Sequence, residues 1–188
     1  RSNLGQVKVP DNRLQMIDDL IHSAKVVPTT VDIIDIPGLA KGSSKGEGVG
    51  NSFLSDIRNC DALIHVVRCF DDPNLPHIDQ TIDPVRDRET IDLELQVKDL
   101  ESIEKRIQKL EKAARVGEKS AKKGLEVVTT IKKHIENFQN VRTLNLDPEE
   151  EESIADLMLL TAKPVIYVCN VDESSAVNGN HYSQRFTQ

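Results

Sequence analysis

Residues 31–39 read V-D-I-I-D-I-P-G-L, a run of β-branched side chains that ends in a proline and a glycine. Such a run predicts a strand, here Lys25 to Asp35, followed by a turn. Short apolar runs at 62–67 and 164–169 predict two more strands. All three runs are continuous rather than alternating, which is typical of parallel strands covered on both faces. Helical spacing over 47–59 completes a βαβ unit, so the sequence predicts an α/β fold.

The middle of the chain has a different, helical period. Between 84 and 140 it contains two apolar series at helical spacing: Leu93, Val97, Leu100, Ile103, Ile107 and Leu110, and then Val127, Val128, Ile131, Ile135 and Phe138. Two antiparallel helices would bury these two stripes against each other, so the pattern predicts a helical hairpin. Asp147 and Pro148 have the residue types that begin a further helix. We therefore predict a core in two parts, 1–83 and 147–188, interrupted by a helical insert over 84–146.

Composition excludes several classes of function. The 188 residues contain 24 Lys and Arg against 31 Asp and Glu, a formal net charge of -7. There is thus no overall positive field for DNA or an anionic membrane surface, and we expect neither as a partner. No apolar stretch approaches the roughly 20 residues of a membrane span. The three cysteines are an odd number and two of them lie in apolar runs, which favours buried thiols and a cytoplasmic protein.

The first candidate site follows the strand that ends at Asp35. A strand ending in D-x-x-G places a carboxylate at the carboxyl edge of a sheet, where α/β proteins bind ligands. Asp35 could there hold the water shell of Mg²⁺, and the backbone N–H of Gly38 could meet a γ-phosphate. The glycine-rich segment 41–51 that follows would suit a mobile switch loop. The alternatives are an aspartate that only caps a turn and a plain solvated connection.

The second candidate site is N-V-D-E, residues 170–173, directly after the strand at 164–169 and therefore at the same predicted edge. GTPases have N-K-x-D at this place, where the aspartate accepts two hydrogen bonds from guanine. Here Val171 replaces the lysine, and Glu173 is one methylene longer than aspartate. These replacements predict a loss or relaxation of guanine specificity. The alternative is a turn in which Asn170 caps the next segment.

These residues together resemble a known family. V-D-I-I-D-I-P-G-L-A-K-G-S-S-K-G-E-G-V-G-N-x-F-L (31–54), H-V-V-R-C-F-D-D (65–72) and N-V-D-E are similar to the YchF or Obg-like ATPases, which are P-loop nucleotidases related to translation factors. The resemblance implies a partial P-loop core with a Rossmann-like, mostly parallel sheet and an inserted α-helical coiled-coil hairpin. It also implies Mg²⁺, ATP in preference to GTP, and the ribosome or associated translation machinery as partner.

The resemblance assigns roles to individual residues. Leu39 lies where Ras-like enzymes place the glutamine that orients water, and His77 matches a family histidine proposed to assist hydrolysis. Phe70 matches a position close to the adenine, and Asn170 and Val171 match base-contacting positions. Without the resemblance, His77 could be a solvated loop residue and Phe70 a core residue.

The departures from the family pattern are also informative. No G-x-x-x-x-G-K-[ST] phosphate loop occurs, the switch I threonine is missing, and no counterpart of the C-terminal domain follows. The chain therefore looks like an internal fragment that is inactive alone. The alternative function is a partner-binding module, in which the hairpin docks and the nucleotide only gates it. Its lysines and arginines could contact ribosomal RNA, although the interleaved glutamates favour ion pairing on the helix surface.

Overall fold

A computed structural model describes residues 3–36 and 50–187. The chain divides into two compact units, residues 1–38 and residues 39–188. The strands and helices, in chain order, are β1 (Asn3–Lys8), α1 (Asn12–Ile21), β2 (Thr30–Asp35), α2 (Gly50–Asn59), β3 (Leu63–Arg68), α3 (Pro84–Arg115), α4 (Lys119–Glu136), α5 (Pro148–Ile154), β4 (Val165–Asn170) and α6 (His181–Thr187). None of the described helices is long and apolar enough for a membrane crossing.

In the first unit, β1 and β2 pair antiparallel, from Asn3 opposite Asp35 to Lys8 opposite Thr30. Helix α1 connects them and begins at Asp11, whose carboxylate accepts a hydrogen bond from the backbone N–H of Arg13. None of residues 3–36 is fully buried. Within this unit the strand beside β2 is antiparallel and most β2 side chains are exposed, so a parallel neighbour for β2 stays a prediction.

In the second unit, β3 and β4 pair parallel, from Leu63 opposite Val165 to Arg68 opposite Asn170. The two strands were predicted correctly, but burial alternates along them instead of being continuous. Val67 is buried, whereas the neighbouring Val66 is 59% exposed. Continuous apolar character therefore did not mean cover on both faces. The described residues form two strand pairs, one in each unit, and a βαβ unit that joins β2 and β3 in one sheet stays a prediction.

The helical hairpin of α3 and α4 agrees with the prediction. Lys132 contacts Glu104 at 3.1 Å, and Gln96 donates to Asn140 at 2.9 Å, so a residue nearer the start of α3 meets one further along the chain, as in an antiparallel pair. The core lies between the two helices and the segment that follows them. Its buried members are Ile103, Val127, Val128, Ile131, Ile135, Val141, Ile154 and Leu159.

Parts of the predicted apolar stripes are exposed. Leu93 and Val97 are 46% and 39% exposed, while Leu95 and Asp99 are buried in their place. The reason is that the first half of α3 packs against β3, α6 and the turn at Leu160–Ala162, and only the second half packs along α4. Phe138 is 77% exposed because α4 has already ended and the backbone turns there with a φ of 59°.

Two sets of polar contacts, one buried and one half-buried, attach the hairpin and α2 to the segment before β4. The Asp99 carboxylate of α3 is fully buried and accepts hydrogen bonds from the backbone N–H groups of Leu160 and Thr161, each at 2.8 Å. The ammonium group of Lys163 donates to the carbonyls of Arg58 and Cys60 at the end of α2. These contacts place the start of β4 beside β3.

Helix α5 begins as predicted, with Asp147 at the N-cap and Pro148 in the first turn. The Asp147 carboxylate accepts a hydrogen bond from the N–H of Glu150 at 2.8 Å, and the Glu150 carboxylate accepts one from the N–H of Asp147 at 2.9 Å. This reciprocal pair is a capping box.

Replacing Gly124 by alanine is expected to stabilise the hairpin by about 0.5–1 kcal/mol, because glycine costs about that much in a helix interior. A methyl group there would lie 3.5 Å from the Leu110 side chain, an ordinary packing distance. Gly117→Ala is the matched control, since Gly117 has a φ of +92° that alanine rarely adopts. Urea unfolding should give a higher midpoint for Gly124→Ala and a lower one for Gly117→Ala. A lower midpoint for both would contradict this packing.

Candidate functional site

The carboxyl ends of β3 and β4 meet at one edge of the second unit. The parallel register ends with Arg68 opposite Asn170, and the N–H of Cys69 donates to the carbonyl of Asn170 at 2.7 Å. Phe70 and the 170–173 segment therefore leave the sheet side by side. The structure thus sets Asn170 beside Cys69, the neighbour of Phe70, whereas an approach of Val171 and Glu173 to Phe70 stays a prediction.

Arg68 fixes the chain that leaves β3. Its guanidinium lies 4.8 Å from the centre of the Phe70 ring, and its Nε donates to the Phe70 carbonyl at 3.1 Å. Its Nη1 donates to the carbonyl of Leu75 at 2.7 Å. Sequence reasoning missed this role. In the sequence, a charged residue at the end of an apolar strand is the feature that indicates such a role.

Helix α6 holds the same edge from the other side. The Asn180 amide donates to the carbonyl of Cys69 at 2.7 Å. The Tyr182 hydroxyl donates to the Asp71 carboxylate at 2.8 Å, and this hydrogen bond raises the pKa of Tyr182. Neither residue could be predicted from local sequence, because each hydrogen-bond partner lies 111 positions away.

The segment after β4 forms a short turn, Glu173–Ser175, capped by Asp172. The Asp172 carboxylate accepts a hydrogen bond from the N–H of Ser175 at 2.8 Å, and hydrogen bonds from Ser175 and Ser174 lower the pKa of Asp172. The alternative in which Asn170 caps this turn is therefore wrong. The side chains of Asn170 and Glu173 are exposed, and Val171 is half-buried.

His77 lies in the loop 71–83 between β3 and α3, and it is not a solvated loop residue. Its side chain is only 19% exposed, and both ring nitrogens have partners. Nε2 is 3.0 Å from Asp87 of α3, and Nδ1 accepts the backbone N–H of Asp79 at 3.1 Å. Potential metal-ligand atoms of His77, Asp79 and Asp87 lie within 4.8 Å of one another. The Arg86 guanidinium already supplies a cation 3.1 Å from Asp87 and 3.8 Å from Asp79, so we assign no metal here.

Asp35, the predicted Mg²⁺ residue, is the last residue of β2 in the first unit and is exposed. Among the described residues, no side chain hydrogen-bonds to its carboxylate. A carboxylate oxygen is a ligand type that Mg²⁺ prefers, so the donor chemistry of Asp35 fits this ion. Gly38, Leu39 and the glycine-rich loop, apart from its last residues, lie outside the described residues.

Cys69, Cys169 and His65 lie on the more buried side of β3 and β4 and of the residue after β3. Burial raises the pKa of the Cys69 thiol to about 12, and the neighbouring Cys169 thiol adds to the shift. Burial lowers the pKa of His65, whose ring packs 5.6 Å from that of Tyr167. All three cysteines are free thiols. Cys69 therefore acts as a small buried hydrophobic residue, as predicted.

Several basic residues of the hairpin are paired with carboxylates. Lys132 contacts Glu104 at 3.1 Å and Glu136 at 3.8 Å, and Lys123 contacts Glu149 at 2.6 Å. Arg106 forms an ion pair with Asp156. These contacts agree with ion pairing on the helix surface. Contact of the hairpin with ribosomal RNA stays a prediction.

The two parallel strands, their covering helices and the polar residues at their carboxyl edge define an α/β protein of the P-loop GTPase type. The comparisons with known proteins support this class. A family model described as 50S ribosome-binding GTPase matches residues 5–129. A solved structure, that of the Schizosaccharomyces pombe YchF GTPase, has a TM-score of 0.81 and 36% identity, and the match covers 98% of this chain and 50% of that one.

Curated relatives carry the name ribosome-binding ATPase YchF. The Bacillus subtilis protein is 43% identical over 94% of this chain and 48% of its own length. The Haemophilus ducreyi protein is 44% identical over 99% of this chain and 51% of its own length. The chain belongs to the 50S ribosome-binding GTPase family and, within it, to the YchF family, so the resemblance stated from the motifs is confirmed. It spans about half the length of the curated relatives it matches.

Proposed function

We propose that the full-length protein binds ATP with Mg²⁺, hydrolyses it in preference to GTP, and acts with the ribosome. The observation that supports base binding is the parallel register of β3 and β4, which sets Arg68 opposite Asn170, so that Phe70 and Val171 follow the two strands at the same edge. The relatives are called ribosome-binding ATPases, and these names support ATP hydrolysis and action with the ribosome. The S. pombe structure is titled a GTPase, so the choice of base is the point that most needs an experiment.

In this proposal, four residues of the second unit surround adenine: Phe70, Asn170, Val171 and Glu173. The exposed Glu173 carboxylate, one methylene longer than the aspartate of GTPases, no longer matches the guanine edge. His77 assists hydrolysis, since Leu39 has no group that could orient water.

The proposed contacts to Mg²⁺ and the phosphates come from the residues at and after the end of β2. Asp35 holds Mg²⁺ through its water shell, and the N–H of Gly38 binds the γ-phosphate. Mg²⁺ supplies charge neutralisation on the phosphates when it is bound. The domain boundaries at 83/84 and 146/147, with the hairpin as an insert, also remain part of the proposal.

The experiment is displacement of a fluorescent ATP analogue from the full-length protein by ATP and by GTP, each with Mg²⁺. Preferential displacement by ATP is expected. Equal displacement by GTP would overturn the proposed base specificity. A parallel sedimentation assay with ribosomes tests the partner, and the absence of co-sedimentation in every nucleotide state would exclude it.

Glu173→Asp is expected to raise GTP affinity relative to ATP by about 10-fold, because the shorter carboxylate recovers the two hydrogen bonds to guanine, worth roughly 1–2 kcal/mol. The measurement is the ratio of the two displacement constants in the full-length protein. Glu151→Asp makes the same chemical change at an exposed position of α5 and should leave the ratio unchanged. If the two variants give the same ratio, position 173 does not determine the choice of base.

A further inference from the structure

The hydrogen bonds of His77 define which of its nitrogens holds the proton. Nδ1 accepts the backbone N–H of Asp79 at 3.1 Å, so this nitrogen has no proton of its own. A neutral imidazole then has its proton on Nε2, which lies 3.0 Å from the Asp87 carboxylate and donates to it. The two contacts together select one tautomer, with Nδ1 as the basic nitrogen.

Asp87 is itself held in place from two sides. Its second carboxylate oxygen accepts hydrogen bonds from Nη2 and Nε of Arg86 at 3.1 and 3.3 Å. Its N–H donates to the carbonyl of Asp83 in the first turn of α3, at 3.0 Å. Arg86 is anchored in turn by the carbonyl of Thr81 at 2.7 Å. One oxygen of Asp87 is therefore committed to Arg86 and the other to His77.

We propose that Asp87 is a positioning residue for hydrolysis, which holds His77 in the Nε2–H tautomer so that Nδ1 can accept a proton. The inference rests on the proposed role of His77. In that step Nδ1 leaves the Asp79 N–H and takes a proton from the attacking water. The water oxygen forms its bond to the γ-phosphorus as the bond to the ADP oxygen breaks. The imidazolium keeps its Nε2–H on Asp87, and the carboxylate offsets the new positive charge.

The structure makes Asp87→Asn an informative change. An asparagine side chain has only one oxygen, and Arg86, which can only donate, will keep it. The amide nitrogen then faces His77 and donates to Nε2, which moves the proton of the imidazole to Nδ1 and breaks the hydrogen bond from the Asp79 N–H. The shape of the side chain is preserved while the tautomer is reversed.

The experiment compares His77→Ala, Asp87→Asn and Asp87→Glu in the full-length protein, measuring kcat and KM for ATP. We expect His77→Ala to lower kcat about 100-fold, within the usual range for a general base, and Asp87→Asn to lower it about 10-fold or more with KM unchanged. Asp87→Glu keeps the charge and should restore most of kcat. Glu89→Gln is the matched control, because Glu89 is 63% exposed in the same helix, and it should stay within twofold of the parent.

A spectroscopic readout separates positioning from a merely structural role. Long-range ¹H–¹⁵N spectra of the His77 imidazole should show the proton on Nε2 in the parent and on Nδ1 in Asp87→Asn, with unchanged thermal midpoints. An unchanged tautomer in Asp87→Asn would overturn the inference. A kcat that stays equal or rises in this variant would also overturn it, and a rise would mean that Asp87 slows the reaction by holding His77. If His77→Ala leaves kcat unchanged, the proposed role of His77 fails first and the kinetic role of Asp87 fails with it. If Asp87→Asn does not fold, the test uses Asp87→Glu instead. Loss of the proton from Nε2, or loss of kcat, in the folded Asp87→Glu variant would overturn the inference.

Discussion

Replacing Asp99 by alanine is expected to lower the free energy of unfolding by about 3–5 kcal/mol, since each buried partner left unpaired costs about 1–3 kcal/mol. The carboxylate is fully buried and serves three donors: the N–H groups of Leu160 and Thr161 at 2.8 Å and the Thr161 hydroxyl at 2.7 Å. Alanine would leave these donors without an acceptor. The measurement is the urea midpoint of the full-length protein.

Glu101→Ala is the matched control for this loss. Glu101 lies two residues further along α3, is 50% exposed and pairs only with Lys98 among the described residues. Exposed pairs of this kind contribute little, so its removal should change the free energy of unfolding by less than about 1 kcal/mol. Equal losses for the two variants would show that Asp99 does not hold the segment before β4.

The pH dependence of the free energy of unfolding tests whether burial or hydrogen bonding has the larger effect on the pKa of Asp99. Burial raises the pKa of Asp99, against the opposing effect of its hydrogen bonds. The folded state then binds the proton more tightly than the unfolded state, so the contribution of Asp99 is largest below its ordinary pKa of 3.8 and is lost as pH rises through the folded pKa. The stability gap between the parent and Asp99→Asn should therefore narrow from acidic to neutral pH. A gap that widens would mean that the hydrogen bonds outweigh burial.

Asp35→Asn is expected to lower the rate of ATP hydrolysis by the full-length protein about 10- to 100-fold, the usual cost of losing a residue that holds a metal through its outer shell. The amide has no negative charge to hold the water shell of Mg²⁺, so part of the loss should be recovered at high Mg²⁺. The measurement is the hydrolysis rate across a Mg²⁺ titration.

Asp32→Asn is the matched control, because Asp32 is a second exposed carboxylate of β2, with Gln6 donating to it at 2.9 Å. It should leave both the rate and the Mg²⁺ requirement within about twofold of the parent. If Asp35→Asn behaves like Asp32→Asn, Asp35 does not take part in metal binding.

The elements that the sequence predicted well are those determined by neighbouring residues. The helical hairpin follows from apolar spacing within each helix, and the start of α5 follows from Asp147, Pro148 and the capping glutamate. The strand partner of β2 was missed because β1 is a short, mostly exposed segment without an apolar run. The exposure of Leu93 was missed because the packing partner of α3 changes along its length, which no local pattern records.

The residues of the candidate site also divide into those that local sequence predicts and those that it does not. Asn170 and Glu173 could be proposed from the sequence because they lie at the end of a predicted strand or just beyond it. Asp87 and Asn180 could not, because each acts through a partner that the fold supplies, the imidazole of His77 or the carbonyl of Cys69. Asp99 was also missed, since a single acidic residue in a helix predicts exposure. Its donors lie 61 and 62 positions away.

The length of α3 has a mechanical consequence. Its 32 residues span about 48 Å at 1.5 Å per residue. Its first turn contacts the loop of His77, its middle is clamped to the turn before β4, and its far end is joined to α4. For a rigid rod pivoted at the Asp99 clamp, a rotation of about 5° would displace the far end by about 2 Å, since about 24 Å of helix lies between Asp99 and Arg115. Helix α3 would then act as a lever with its pivot at Asp99, in which a tilt of the first turn beside the loop of His77 moves the far end in the opposite direction.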